Sequence, residues 1–165
     1  TEQGKGTEFI VCLPFRIQSE KHHTEKIAED TILPAAGSDF RGKRILLVED
    51  NELNSEIAVE LLNAYGFVVD TAENGAEAVE KVKNSTPGNY DLVLMDVQMP
   101  VMNGYEATKQ IRALNDPALA GITILAMTAN AFAEDVQLAK NTGMNGHIAK
   151  PLDMNKLNDV LENWL

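Results

Sequence analysis

Three carboxylates, a hydroxyl and an ammonium in this chain share one kind of position, the point where an apolar run stops. Ile45-Leu46-Leu47-Val48 ends in Glu49-Asp50, and Leu92-Val93-Leu94-Met95 ends in Asp96. Ile122-Thr123-Ile124-Leu125-Ala126-Met127 ends in Thr128, and a fourth short segment ends in Lys150-Pro151. If these runs are parallel strands, all five groups converge on one edge of a sheet. A hard divalent cation takes oxygen ligands, and Mg2+ (or Mn2+) is commonly held by one or two carboxylates plus water and phosphate oxygens. Asp50 and Asp96 would bind it directly, Glu49 through a water, and the backbone carbonyl of Gln98 would complete the set. Crowded acids repel one another, and a dication relieves that repulsion.

The same edge would support phosphoryl chemistry. An aspartate carboxylate is a competent nucleophile toward phosphorus. Phosphoryl transfer asks mainly for positioning and for neutralisation of the equatorial oxygens. The cation would meet one such oxygen, the Lys150 ammonium a second and the Thr128 hydroxyl a third. Asp96 is ionised at neutral pH, so no general base is needed. Taken singly, each residue has a plainer reading: an Asp after a strand caps a turn, Glu49-Asp50 precedes a helix, Lys150 is solvated. Their joint occurrence at four strand ends carries the argument.

The elements that must position these groups follow from periodicity. Leu53, Ile57, Leu61 and Leu62 recur at helical spacing after Asp50, and Gly66 ends that helix as a C-terminal glycine does. Phe67-Val68-Val69 reads as a strand. Asn74 with Glu77 three residues on reads as a helix start, with Val79 and Val82 on its inner stripe. Gly104 to Leu114 is a third helix and Ala131 to Thr142 a fourth, closed by Gly143. A fifth is capped by Asp153 and carries Leu157, Val160, Leu161 and Trp164 on one stripe. The strands are continuous apolar runs, which mark burial on both faces of a parallel sheet. The βα alternation leads to an α/β, doubly wound, five-stranded parallel sheet of order 2-1-3-4-5 with right-handed crossovers. Its topological switch falls between strands 1 and 3, where Glu49, Asp50 and Asp96 lie.

Bulk composition narrows the function classes. The chain has 165 residues, a hydrophobic content of 44% and a formal net charge of -11. Residues 43–165 hold 9 basic and 18 acidic side chains and residues 1–42 hold 5 and 7, so no basic face is available for nucleic acid. A single Cys12 excludes an internal disulfide framework and fits a reducing, cytoplasmic compartment. No apolar stretch reaches the roughly 18 residues of a membrane span and no signal peptide is visible, so this part makes no membrane contact, although a parent chain could be anchored. Thr1 is not a natural start, and the chain reads as a fragment.

Residues 43–165 resemble the receiver domain of a two-component response regulator. The resemblance rests on Glu49-Asp50-Asn51, on Asp96 with Met99-Pro100 and Gly104, on Thr128-Ala129 and on Lys150-Pro151. The stretch Asp96 to Gly104 departs from the commonest form only at Asn103, a solvent-facing position in the family where an acid is usual. The resemblance implies a flavodoxin-like receiver fold and a phosphoacceptor signalling switch. It makes Asp96 the acceptor, with a phosphohistidine of a histidine kinase or histidine phosphotransfer domain as donor. It implies a cis Lys150–Pro151 bond and self-phosphorylation and self-dephosphorylation as the receiver's only activities. It also places an aromatic switch at His147, which moves inward as Thr128 is drawn to the phosphoryl group and so reshapes the face of the fourth helix, fifth strand and fifth helix.

Residues 1–17 resemble the last strand of a histidine-kinase ATP-binding domain, on Gly4-Lys5-Gly6-Thr7-Glu8-Phe9-Ile10-Val11-Cys12-Leu13-Pro14-Phe15. That implies a hybrid sensor histidine kinase as parent, with residues 18–42 as a polar linker. The strand of residues 7–15 is apolar on both faces and would favour self-association when its sheet is missing. His22-His23 has no further ligands nearby and is set aside. Two rival readings remain. An aspartyl-phosphate phosphatase would usually carry a second Asp two residues after the nucleophile, where Gln98 stands. A flavin or nucleotide binder would need a glycine-rich turn after strand 1, which is missing.

Overall fold

The computed structural model describes residues 40–128, 133–152, 154–161 and 164. The chain alternates β1 (Arg44–Val48), α1 (Glu52–Ala64), β2 (Val68–Ala72), α2 (Gly75–Asn84), β3 (Leu92–Asp96), α3 (Gly104–Arg112), α4 (Pro117–Ala120), β4 (Thr123–Thr128), α5 (Ala133–Thr142), β5 (Gly146–Ala149) and α6 (Met154–Leu161). The strands form one parallel sheet in the order β2-β1-β3-β4-β5, as the sequence predicts. The four-residue α4 is an unforeseen addition, so the expected fourth and fifth helices are α5 and α6. Among the described residues no helix is long and apolar enough to cross a membrane.

Two cores flank the sheet because successive strand residues point to opposite faces. Leu46, Val48, Val93, Met95, Ile124 and Ala126 pack against α2, α3 and α5. Ile45, Leu47, Leu92, Leu94, Leu125, Met127 and Ile148 pack against α1 and α6. The three inner strands are buried almost throughout. Both edge strands are part-exposed, and Val68, expected inside, is open to solvent.

The α1 stripe differs from expectation. Leu62 is buried and Leu61 half-buried, but Leu53 and Ile57 are 64% and 51% exposed, and Ala58 takes the inner position. The true stripe runs through 58 and 62, displaced by one residue, or about 100° around a helix of 3.6 residues per turn. The end of the expected linker also packs on this body. Phe40 is buried and stacks on Phe67 at 4.9 Å between ring centroids, and the Gly42 N–H donates to the Gly66 carbonyl at 3.0 Å. Gly66 has φ of +89°, the left-handed conformation that favours glycine at a helix C-terminus. The expected strand at 7–15, the linker at 18–39, Ala129, Ala131 and the Asp153 cap lie outside the described residues.

Caps decide where the site-bearing helices begin. Asn51, not Glu49 or Asp50, caps α1, its side chain accepting the Asn54 N–H at 3.0 Å. Asn74 caps α2 as expected. Asn103, expected only as a solvent-facing departure from the family pattern, caps α3 in a reciprocal box with Glu106. The preceding loop carries a tight turn in which Met102 N–H donates to the Pro100 carbonyl at 2.7 Å around Val101, at φ of +67°. A β-branched residue in that region stores backbone strain.

Gly104 fixes how closely α3 approaches the end of β3. A Cβ there would press into the Asp96 carbonyl oxygen and lie 2.9 Å from Met95 Cγ. Helix propensity favours Gly→Ala by up to about 1 kcal/mol, but overpacking against backbone costs about 1–3 kcal/mol. We expect the clash to win, with Gly104→Ala lowering unfolding stability in urea by about 2 kcal/mol. A more stable variant would show that α3 can move off β3 freely.

Candidate functional site

The site lies past the carboxyl ends of β1, β3, β4 and β5. β1 pairs with β3 in a register that sets Val48 beside Met95, so Glu49 and Asp96 are neighbours across adjacent strands. Asp96 pairs with Met127, which puts Thr128 one residue further on, and Thr128 pairs with Ala149, just before Lys150. The Glu49 backbone is held by its N–H donating to the Ala72 carbonyl at 3.0 Å, and the Lys150 N–H donates to the Thr128 carbonyl at 2.8 Å. The Lys150–Pro151 bond is cis.

Glu49, Asp50 and Asp96 form a cluster in which one carboxylate oxygen from each lies within 4.8 Å of the others. Glu49 and Asp96 are each 6% exposed, while Asp50 is open to solvent. Lys150 Nζ donates to Glu49 Oε2 at 2.5 Å and to Asp96 Oδ2 at 2.7 Å. Asp96 Oδ1 accepts the Gln98 N–H at 3.2 Å, and Glu49 Oε1 accepts Asn54 Nδ2 at 3.0 Å. Of the sequence-predicted residues, Glu49, Asp50 and Asp96 cluster, Lys150 reaches Glu49 and Asp96, and the Gln98 N–H reaches Asp96; strand register sets Thr128 at the adjoining strand end. His147 is half-buried beside Ala126, two strands from Asp96 and three residues before Lys150.

Electrostatics set the readiness of this site. Burial pushes the Asp96 carboxyl above its ordinary 3.8; the Lys150 ammonium and the Gln98 N–H pull the other way, and the Glu49 charge adds to the rise. Burial alone would lower the Lys150 pKa, but its hydrogen bonds and attraction to Asp96 and Glu49 hold it above 10.5. Three acids facing one ammonium leave a net negative pocket of hard oxygen donors. That donor set could hold a divalent cation.

Two features escaped the sequence. Asn54 joins the site from α1. A groove of about 320 Å³ opens beside it, lined by Ile57, Ala58, Leu61, Met127, Pro151 and Leu152 together with Glu49, Asn54 and Lys150. The exposed Leu53 and Ile57 were the available signal, hidden by their assignment to the core.

A raised carboxyl pKa has a definite consequence. The folded state holds the Asp96 proton more tightly than the unfolded chain, so that stabilisation is full below 3.8 and is lost as pH rises through the folded value. In urea unfolding without divalent cations, Asp96→Asn should therefore gain stability relative to the parent as pH rises across that window. A gain running the opposite way would mean that Lys150 outweighs burial.

The comparisons agree with this geometry. Residues 45–162 match the model of the response regulator receiver domain. The chain is 43% identical over 136 residues to hybrid signal transduction histidine kinase B of Dictyostelium discoideum, a match over 77% of this chain but only 7% of that protein. It is 36% identical to the receiver domain of sensor histidine kinase PA1611 from Pseudomonas aeruginosa PAO1, whose crystal structure has a magnesium ion in the active site cleft. That match has a TM-score of 0.66 and covers 74% of this chain and 97% of the other. The receiver domain of Ssk1, solved with the Saccharomyces cerevisiae phosphotransfer protein Ypd1, is 32% identical with a TM-score of 0.67, over 75% and 89% of the two chains.

Proposed function

The chain belongs to the response regulator receiver family, and from that premise we propose that Asp96 is its phosphoacceptor, working with Mg2+ as part of a two-component phosphorelay. The observation that carries the reading is the clustering of Glu49, Asp50 and Asp96 at the switch point of the sheet, with Lys150 bound to two of them. An Asp96 carboxylate oxygen attacks phosphorus, the phosphorus–nitrogen bond of a donor phosphohistidine breaks, and the imidazole leaves with the electron pair. Asp50, Asp96 and the Gln98 carbonyl would hold the cation, with Glu49 supporting it through a water. Bound Mg2+ would screen the carboxylates and one phosphoryl oxygen.

Lys150 then turns from the two carboxylates toward the phosphoryl group, and the Thr128 hydroxyl meets another of its oxygens. Movement of Thr128 draws on His147 and alters the face made by α5, β5 and α6. The donor is a histidine kinase or a histidine phosphotransfer domain, the latter supported by the Ypd1 complex of the Ssk1 receiver. Leu53 and Ile57, exposed on α1 beside the site, give such a protein an apolar seat. We further propose a hybrid histidine kinase as parent, with residues 43–165 its receiver, residues 1–17 the end of its kinase domain and residues 18–42 the linker. In the cytoplasmic setting that Cys12 suggests, self-association through residues 7–15 remains part of this proposal.

With a small acyl phosphate and Mg2+, intact-protein mass spectrometry should show one phosphate adduct on the parent, lost in Asp96→Asn and suppressed by chelation of the metal. A full adduct on Asp96→Asn would move the acceptor elsewhere.

A further inference from the structure

Glu49 has two carboxylate oxygens, and the structure gives each a different partner. Oε2 faces Lys150 at 2.5 Å, and Oε1 accepts Asn54 Nδ2 at 3.0 Å. A carboxylate only accepts hydrogen bonds, so the Asn54 atom facing it is the amide nitrogen. Both ends of this contact stand on fixed backbone. Glu49 continues β1 through its bond to Ala72, and the Asn54 N–H is tied to the α1 cap at Asn51 Oδ1. Asn54 is solvent-exposed, yet it reaches a carboxylate that is nearly closed off.

We propose that Asn54 is a positioning residue of the cation site, acting through Glu49; the inference rests on the reading of Glu49, Asp50 and Asp96 as that site. Without the amide, Glu49 would be free to turn both oxygens to the ammonium, since a buried carboxylate takes whatever donors are in reach. Lys150 would then be a stronger internal competitor for the acid that a cation also needs. With Oε1 held by Asn54, only Oε2 answers to Lys150, and it stays aimed at the cluster once the ammonium turns to a phosphoryl group. Partners one step removed from a metal commonly change its affinity by about 10–100-fold when removed, because they orient the group that faces the ion.

The test is a double-mutant cycle on the full chain, read by calorimetric titration with Mg2+ alone. Asn54→Leu keeps the branched shape of the side chain and leaves the cap, which uses the Asn54 backbone, in place. It should weaken Mg2+ binding about tenfold with the circular dichroism spectrum unchanged. In a Glu49→Gln background the same substitution should change affinity by no more than about twofold, because its route of action is gone. Asn54→Ala serves as the second variant if the leucine perturbs folding. Unchanged affinity in Asn54→Leu and Asn54→Ala overturns the proposal, and so does an equal loss in both backgrounds. Asp50→Asn separates the two levels. If it weakens binding while the Asn54 variants do not, the cation site stands and only the role of Asn54 falls. If it too has no effect, the cation site itself is misplaced and the proposal falls with it.

Discussion

The Lys150 ammonium lies within hydrogen-bond distance of two buried carboxylates, Glu49 and Asp96, that are 101 and 54 residues away from it in sequence. Neither acid is tolerable alone at that depth. Burying an unpaired charge costs several kcal/mol, and removing one member of a buried pair costs about 3–5 kcal/mol. Lys150 makes the cluster foldable without a metal, but with Asp50 added the pocket stays short of positive charge. A divalent cation would relieve that shortage. Stability and chemistry here are two consequences of one shortage.

The architecture delivers those charges to one point with few contacts that are specific to function. A parallel sheet puts every strand's carboxyl end on the same side, and the order β2-β1-β3-β4-β5 sets β1 beside β3 where the crossovers diverge. Local features then shape the chain that follows Asp96. Gly104 lets α3 close on the end of β3, the Asn103 box starts that helix, and the Val101 turn brings the loop round between them. At the other end of the sheet, Arg112 binds the carbonyls of Ala120 and Gly143 and the Asn145 side chain, locking α3, α4 and the start of β5 together. The strained turn lies in the loop that follows Asp96, and the well-bonded clamp lies at the opposite end of the sheet; strain of this kind clusters at functional sites.

Much of this was legible in the residues. Continuous apolar runs identify β1, β3 and β4, and a carboxylate, hydroxyl or ammonium at the end of each strand locates the site before any packing is known. Asn74 with Glu77 is a cap visible by spacing alone. What was not legible depended on rotation and distance. The 53-57-61 spacing of α1 is as regular as the true stripe one residue on, and only docking on the sheet selects between them. That ambiguity hid both the exposed Leu53 and Ile57 and the neighbouring Asn54, which has no motif of its own. Phe40 read as linker because one aromatic has no period; its burial follows from Phe67 across the sheet edge. Val101 gave no warning, since β-branched residues rarely adopt a positive φ.

The proposed site depends on Lys150 acting as the internal counterion of acids that would also hold a divalent cation. The direct test compares unfolding free energy with and without saturating Mg2+ in the parent and in Lys150→Met. At a given concentration a ligand stabilises the folded state more the more tightly it binds that state. With the ammonium gone, Glu49 and Asp96 have no other cationic partner among the described residues, so Mg2+ should stabilise Lys150→Met by more than it stabilises the parent. An equal or smaller gain in the variant would contradict it, by showing that Lys150 and the metal do not share the same carboxylates.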